Sequence, residues 1–188
     1  ERTVEISRIN EEIKSSITYS KRIQDALIAH QNLAKNVFAE SFVFYKPKDI
    51  VGGDFYFTYK VDDNVIFGVA DCTGHGVPGA MVSLLCMTFI ESAVNYFKLI
   101  RPRSILGKVN ELLVKSLVSE NHTVRDGMDV AICTLDTKTS SLYFSGANSK
   151  IQFIGSEGSQ IISGNPRPVG HWVDDFINFE EKVIDVKP

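Results

Sequence analysis

Strand-like runs cluster along this chain instead of alternating with helices, and that grouping restricts the fold more than any other feature. "SFVFYKPK", "FYFTYKV" and "VIFGVA" come first, aromatic and alternating or uniformly apolar. Two helical stretches follow, over about 78–99 and 104–118. The second carries Ile105, Leu106, Val109, Leu112, Leu113 and Leu117 at helical spacing. Pro78 suits a first helical turn, where no backbone donor is needed, and Ser104 is the expected N-cap of the second helix. From Met128 onward "MDVAICTLD", "SLYFSGA", "KIQFIG", "SQIIS" and "INFEEKVIDV" are separated by Asp, Lys, Gly, Ser and Asn turns. Successive strands without crossover helices pair antiparallel. The expectation is an α+β domain, mainly antiparallel sheet with helices on its faces.

Residues 4 to about 35 form a separate amphipathic helix in this reading. Ile6, Ile9, Ile13, Ile23 and Leu27 keep a seven-residue spacing, with Ser16 and Ser20 at the intervening seam positions. Two roles are open to so narrow a stripe. It packs on the domain that follows, or it forms a signalling linker that dimerises or transmits an upstream state. The expected division is a linker helix over 1–37 and a domain over 38–188, long enough for a sizeable core.

Charge and cysteine content narrow the function classes. A net charge of −3 and a pI near 5.8 argue against broad nucleic-acid binding. No apolar run reads as long enough to cross a bilayer. Three cysteines, Cys72, Cys86 and Cys133, are a poor disulfide framework and point to a reducing compartment. Cys86 and Cys133 sit in apolar runs and read as small core residues. The start "ERTVEISRIN" lacks methionine and reads as internal to a longer protein. A cytoplasmic domain is expected, with membrane attachment open through upstream sequence.

The chemistry concentrates where strands meet glycines. Gly52-Gly53 precede Asp54, which opens one strand; Asp71 closes the strand that follows the Asp62–Asn64 turn. A lone Asp beside Gly merely caps a turn. Two that bracket one hairpin converge, and converging carboxylates are costly unless a hard cation such as magnesium or manganese joins them. "RDGMDVA" repeats the theme with Asp126, Gly127 and Asp129. After Asp71, Gly74, Gly76 and Gly79 allow a sharp corner into a helix whose N-terminal amides favour a phosphate. The combination suggests metal-activated water attacking a phosphoryl group. Cys72 and His75 are a zinc-like pair, but no second pair exists: His30, His122 and His171 are isolated. A nucleophilic Cys72 would need a following arginine in the phosphate loop, and none occurs until Arg101. His75 serves either as a general acid or as a hydrogen-bonding corner residue.

Together "VGGDFY", "ADCTGHGVPGAMVS", "GMDVAICTLD", "FSGANSKIQFI" and "NPRPVG" resemble the bacterial SpoIIE/RsbU-type branch of the metal-dependent PPM (protein phosphatase 2C-like) serine/threonine phosphatases. The likeness runs from Phe42 to the C-terminus, and "SITYSKRIQDALIA" resembles the linker that joins such domains to upstream sensory modules. The resemblance implies an α-β-β-α sandwich with a two-metal centre of Mn2+ or Mg2+ between two antiparallel sheets. Asp54 and Asp71 match the metal-bridging acids, Cys72 a residue offering its backbone carbonyl, and Asp129 a further acid tied to metal binding. Gly74, His75 and Gly76 match the glycine-rich corner beside the phosphate. The implied reaction is attack of metal-bridged water on phosphoserine or phosphothreonine. The implied substrates are phosphorylated STAS-domain anti-sigma-factor antagonists.

One departure stands out. The family pattern continues into an "SDG" strand with another metal-binding aspartate, whereas this sequence stops at "EEKVIDVKP". Asp174, Asp175 and Asp185 do not stand in that context. The expectation is a domain lacking one metal ligand and at least one strand, weakly active or inactive by itself. An open sheet edge or the N-terminal helix would then pair two chains in a homodimer. Two other classes compete with the enzyme. One is a catalytically inactive phosphatase-fold module that binds or relays; the other is a dimerisation unit built on the N-terminal helix.

Overall fold

A computed structural model of the chain describes residues 2–30, 38, 40–117, 126–155, 158–170 and 178–186. Helix α1 spans Arg2–His30. Strands β1 (Phe55–Val61) and β2 (Asn64–Cys72) form a hairpin closed at Asp62, whose φ of 52° is left-handed. Helix α2 (Gly76–Glu91) and helix α3 (Pro102–Leu117) follow. Then come β3 (Met128–Asp136), β4 (Ser141–Ala147), β5 (Lys150–Gly155), β6 (Gly158–Ser163) and β7 (Lys182–Asp185). One antiparallel sheet has the order β1-β2-β3-β4-β7; β5 and β6 form a second, two-stranded sheet. The α+β class and the two antiparallel sheets are as the sequence implies.

The large sheet has two unequal faces. On one, Phe55, Ile66, Val130 and Ile132 pack beneath α2 and α3 against fully buried Cys86, Ile90, Ile105 and Leu113. Each such aliphatic side chain contributes about 1.5–3 kcal/mol by leaving water, so this layer supplies most of the cohesion. On the other face a smaller cluster of Ala131, Cys133, Phe144 and Ile162 lies beneath the β5–β6 hairpin. Beside it runs an apolar groove of about 530 Å³, lined by Phe42, Val43, Tyr56, Phe67 and Val69 among others.

Several local expectations change. "SFVFYKPK" has no regular secondary structure over 41–47 and joins no ladder among the described residues; Phe42 and Phe44 are 90% and 84% exposed. Alternation favours a strand, but a strand also needs a partner edge. The first predicted helix ends early, because the ladder widens into a π-turn at Ser92–Tyr96 and Lys98 turns left-handed. Gly76–Tyr96 is nonetheless long and apolar enough to cross a membrane by length and composition. That corrects the expectation of no such run; its apolar character serves packing, since Cys86, Ile90, Ala93 and Val94 are buried on the sheet. Helix α3 starts at Pro102, so Ser104 lies inside its first turn and donates its N–H to Arg101 O. Of the described residues of "INFEEKVIDV", only Lys182–Asp185 is strand. The predicted helix residues 31–35 and 118, the 37/38 boundary, and His122, His171, Asp174 and Asp175 lie outside the described residues.

Helix α1 presents two different faces. Gln24 and Ile28 are buried against the domain, with Ile17 and Lys21 half-buried on the same side. The seam of Ile6, Ile9, Ile13, Ile23 and Leu27 points elsewhere and remains 42–56% exposed. The stripe is therefore not what packs α1 on the domain.

Candidate functional site

Strand register places the acids in a row. Asp71 and Asp129 are direct cross-strand partners at the ends of β2 and β3. Phe55 pairs with Ala70, which brings Asp54 level with Asp71. Val130 pairs with Ala147, which brings Asn148 level with Asp129. Directly opposed residues share a sheet face, so Asp54, Asp71, Asp129 and Asn148 border one cleft of about 530 Å³. Tyr45, Lys46, Tyr56 and Ser149 also line it. It shares Val43, Tyr56 and Val69 with the apolar groove.

Like charges opposed across strands repel. Asp71 responds with a raised pKa, caused first by partial burial, then by a hydrogen bond with the Asp54 carboxyl and by its charge. A hard divalent cation between the two carboxylates would offset that cost, and the all-oxygen donor set fits magnesium or manganese. Asp129 turns to another partner: its Oδ2 accepts from Asn148 Nδ2 at 2.7 Å. Among the described residues no three acidic, histidine or cysteine side chains converge on one point.

The glycine corner is built by close backbone approach. Gly74 and Gly76 are left-handed at φ 86° and 61°. A Cβ on Gly53 would stand 2.8 Å from the Cys72 carbonyl oxygen, so the loop before Asp54 lies against that carbonyl. The Cys72 thiol is buried and faces Cys86; that contact, then burial, raises its pKa far above the ordinary range. It is an unreactive thiol. Asp126 is not in the cleft. It accepts from Thr73 Oγ1 at 2.8 Å, and Gly127 N–H donates to the same hydroxyl, which braces the corner from β3. His75 has extended backbone at the N-cap of α2 and makes no side-chain cap. Its Nδ1 lies 3.0 Å from Asp49 Oδ2, with the pair 72% and 43% exposed. Gly74, His75 and Gly76 are not among the cleft's lining residues.

Sequence reasoning did not single out Gln24, Lys46, Asp49 or Asn148. Gln24 is 1% exposed. Its Nε2 donates to Gly52 O at 2.7 Å and Ser83 Oγ at 3.0 Å, while its Oε1 accepts from Gly52 N–H at 3.3 Å. The linker helix thus grips the loop that delivers Asp54 and the helix that follows Asp71. A polar residue in phase with Ile17, Lys21 and Ile28 was the available signal.

The family model for stage II sporulation protein E (SpoIIE) matches residues 61–184. The SiaA-PP2C domain of Pseudomonas aeruginosa superimposes with a TM-score of 0.82 at 29% identity, over 96% of this chain and 70% of that one. The PP2C phosphatase domain of SpoIIE from Bacillus subtilis, with a fragment of its regulatory domain, gives 0.56 at 18% identity, over 73% and 38%. RsbX in complex with magnesium gives 0.55 at 15% identity, over 78% and 66%. The last two likenesses show the fold alone. A comparison with curated proteins finds no match.

Proposed function

The chain belongs to the stage II sporulation protein E (SpoIIE) family, and on that premise we propose that it is the phosphatase domain of a signalling protein, hydrolysing phosphoserine or phosphothreonine on a protein partner. The observation that carries this reading is the row Asp54–Asp71–Asp129 across three neighbouring strand ends, all three lining one cleft. Asp54 and Asp71 would hold magnesium or manganese, joined by the Cys72 carbonyl and by Asp129; RsbX, which shares the fold, is known with magnesium. Such ions supply acidified water and neutralise phosphoryl charge. The chain's own residues do the rest: Lys46 is the one cationic side chain among the cleft's lining residues and favours the phosphate. His75, tied to Asp49 outside the cleft, takes the corner role of the two open to it.

The substrate we propose is a STAS-type anti-sigma-factor antagonist, with a sensor domain upstream in the same protein and a cytoplasmic site of action. The exposed α1 seam is proposed to pair two chains, and the Gln24 contacts favour α1 as the element that sets the Asp54 loop. The test uses the full-length protein. Manganese-dependent phosphate release from a phosphoserine STAS-domain protein should fall to background in Asp54→Asn and Asp71→Asn. Release that persists in both variants refutes the assignment. A second reading, an inactive binding or relay module, draws on two observations: Asp129 is engaged by Asn148, and no three ligating side chains converge among the described residues. Intact folding and substrate binding without hydrolysis would favour it.

A further inference from the structure

We propose that Asn148 is a positioning residue for the metal centre, acting through Asp129 by fixing one carboxylate oxygen so that the other is presented to the cleft. The inference rests on reading the acid row as a metal centre. Asn148 stands level with Asp129 at the end of the row, and its Nδ2 donates to Asp129 Oδ2 at 2.7 Å. Both residues line the cleft, and both face water enough that folding alone does not require the bond.

The backbone at Asn148 is held for this purpose. Its φ is 47°, a left-handed value that asparagine tolerates better than most residues. The "NPRP" segment braces it from outside the sheet. Asn148 N–H donates to Asn165 O at 2.7 Å, Asn165 N–H donates to Gly146 O at 2.8 Å, and Ala147 and Asn165 form a parallel bridge. Gly146 and Gly164 let the two backbones touch: a Cβ on Gly164 would stand 2.3 Å from Gly146 O. A carboxylate with one oxygen already bound is restricted in rotation, and it meets an ion with the remaining oxygen at less entropic cost. Hydrogen-bond partners of metal ligands typically influence affinity by about 10–100-fold.

Asn148→Gly isolates the side chain, because glycine accepts the left-handed backbone without strain. The measurement is Mn2+ binding to the full-length protein, followed by the electron paramagnetic resonance signal of free Mn2+, with thermal unfolding alongside. Asn148→Gly should weaken Mn2+ binding about tenfold and leave the metal-free melting temperature within a few degrees. In an Asp129→Ala background the same substitution should add nothing, which a purely structural role would not produce. Binding within twofold of the parent, or a full additional loss in the Asp129→Ala background, overturns the proposal. Failure of the unsubstituted protein to bind Mn2+ overturns the metal centre as well. Mn2+ binding without phosphate release removes the phosphatase reading and leaves this inference standing.

Discussion

Replacing Gln24 with leucine tests whether the linker helix and the acid cleft are one mechanical unit. Leucine is close in volume, so packing changes little. The structure says which polar groups lose partners. Gly52 N–H loses Oε1, its hydrogen-bond acceptor at 3.3 Å, in a buried position. Gly52 O and Ser83 Oγ lose the Nε2 donor but keep each other at 3.3 Å. One orphaned buried donor costs about 1–3 kcal/mol, and each lost satisfied bond about 0.5–1.5 kcal/mol. Against this stands the gain from a buried leucine, so a net loss of about 2 kcal/mol is expected. Urea denaturation of the full-length protein without metal reads it as a lower midpoint at unchanged slope. Because Gly52 is two residues from Asp54, Mn2+ binding should weaken too. A change below about 0.5 kcal/mol, the ordinary range for an inconsequential surface substitution, with Mn2+ binding intact, would refute the coupling.

Other outcomes follow from the same geometry. Gly53→Ala drives a Cβ to 2.8 Å from the Cys72 carbonyl and 3.1 Å from that of Gly74, both backbone. A loss of about 1–3 kcal/mol is expected, with weaker Mn2+ binding, measured by denaturation and by titration. Asp71 has a raised folded-state pKa, caused first by burial and then by the Asp54 carboxyl. Its contribution to metal-free stability is fully present below the ordinary 3.8 and is lost as pH rises through the folded value. The stability of the parent relative to Asp71→Asn should therefore fall as pH rises across that window, and Mn2+ should cancel the trend; a flat difference without metal would contradict the raised Asp71 pKa. Filling the α1 seam with Ser16→Leu and Ser20→Leu should shift the full-length protein toward dimer in sedimentation and change turnover. An unchanged mass and rate would count against the seam as an interface.

Much of the fold was legible because it is local. The runs "MDVAICTLD", "SLYFSGA" and "KIQFIG" are β3, β4 and β5 to the residue, since alternation and turn residues act over a few positions. Asp54 and Asp71 were legible as a pair because a short turn forces their strands together, and each flanks the terminal Phe55–Ala70 pair of that hairpin. What stayed hidden depends on partners far along the chain. Nothing in "SFVFYKPK" reveals whether a strand edge will be available to it. The heptad of isoleucines marks an apolar stripe, but not that the domain would be gripped by Gln24 on another face of the helix. Asp129 stands opposite Asp71 only because β3 pairs with β2 across an excursion through two helices. Asp49 meets His75 from a loop 26 positions away, outside any strand, and Asn148, though only a β3–β4 hairpin away from Asp129, carries no sequence signal of its own. Periodicity and turn chemistry, which are short-ranged, made strands, a hairpin and two facing acids. Tertiary packing decided which of the chain's polar side chains meet in the cleft, because only closure of the sheet brings together groups that sequence separation holds apart.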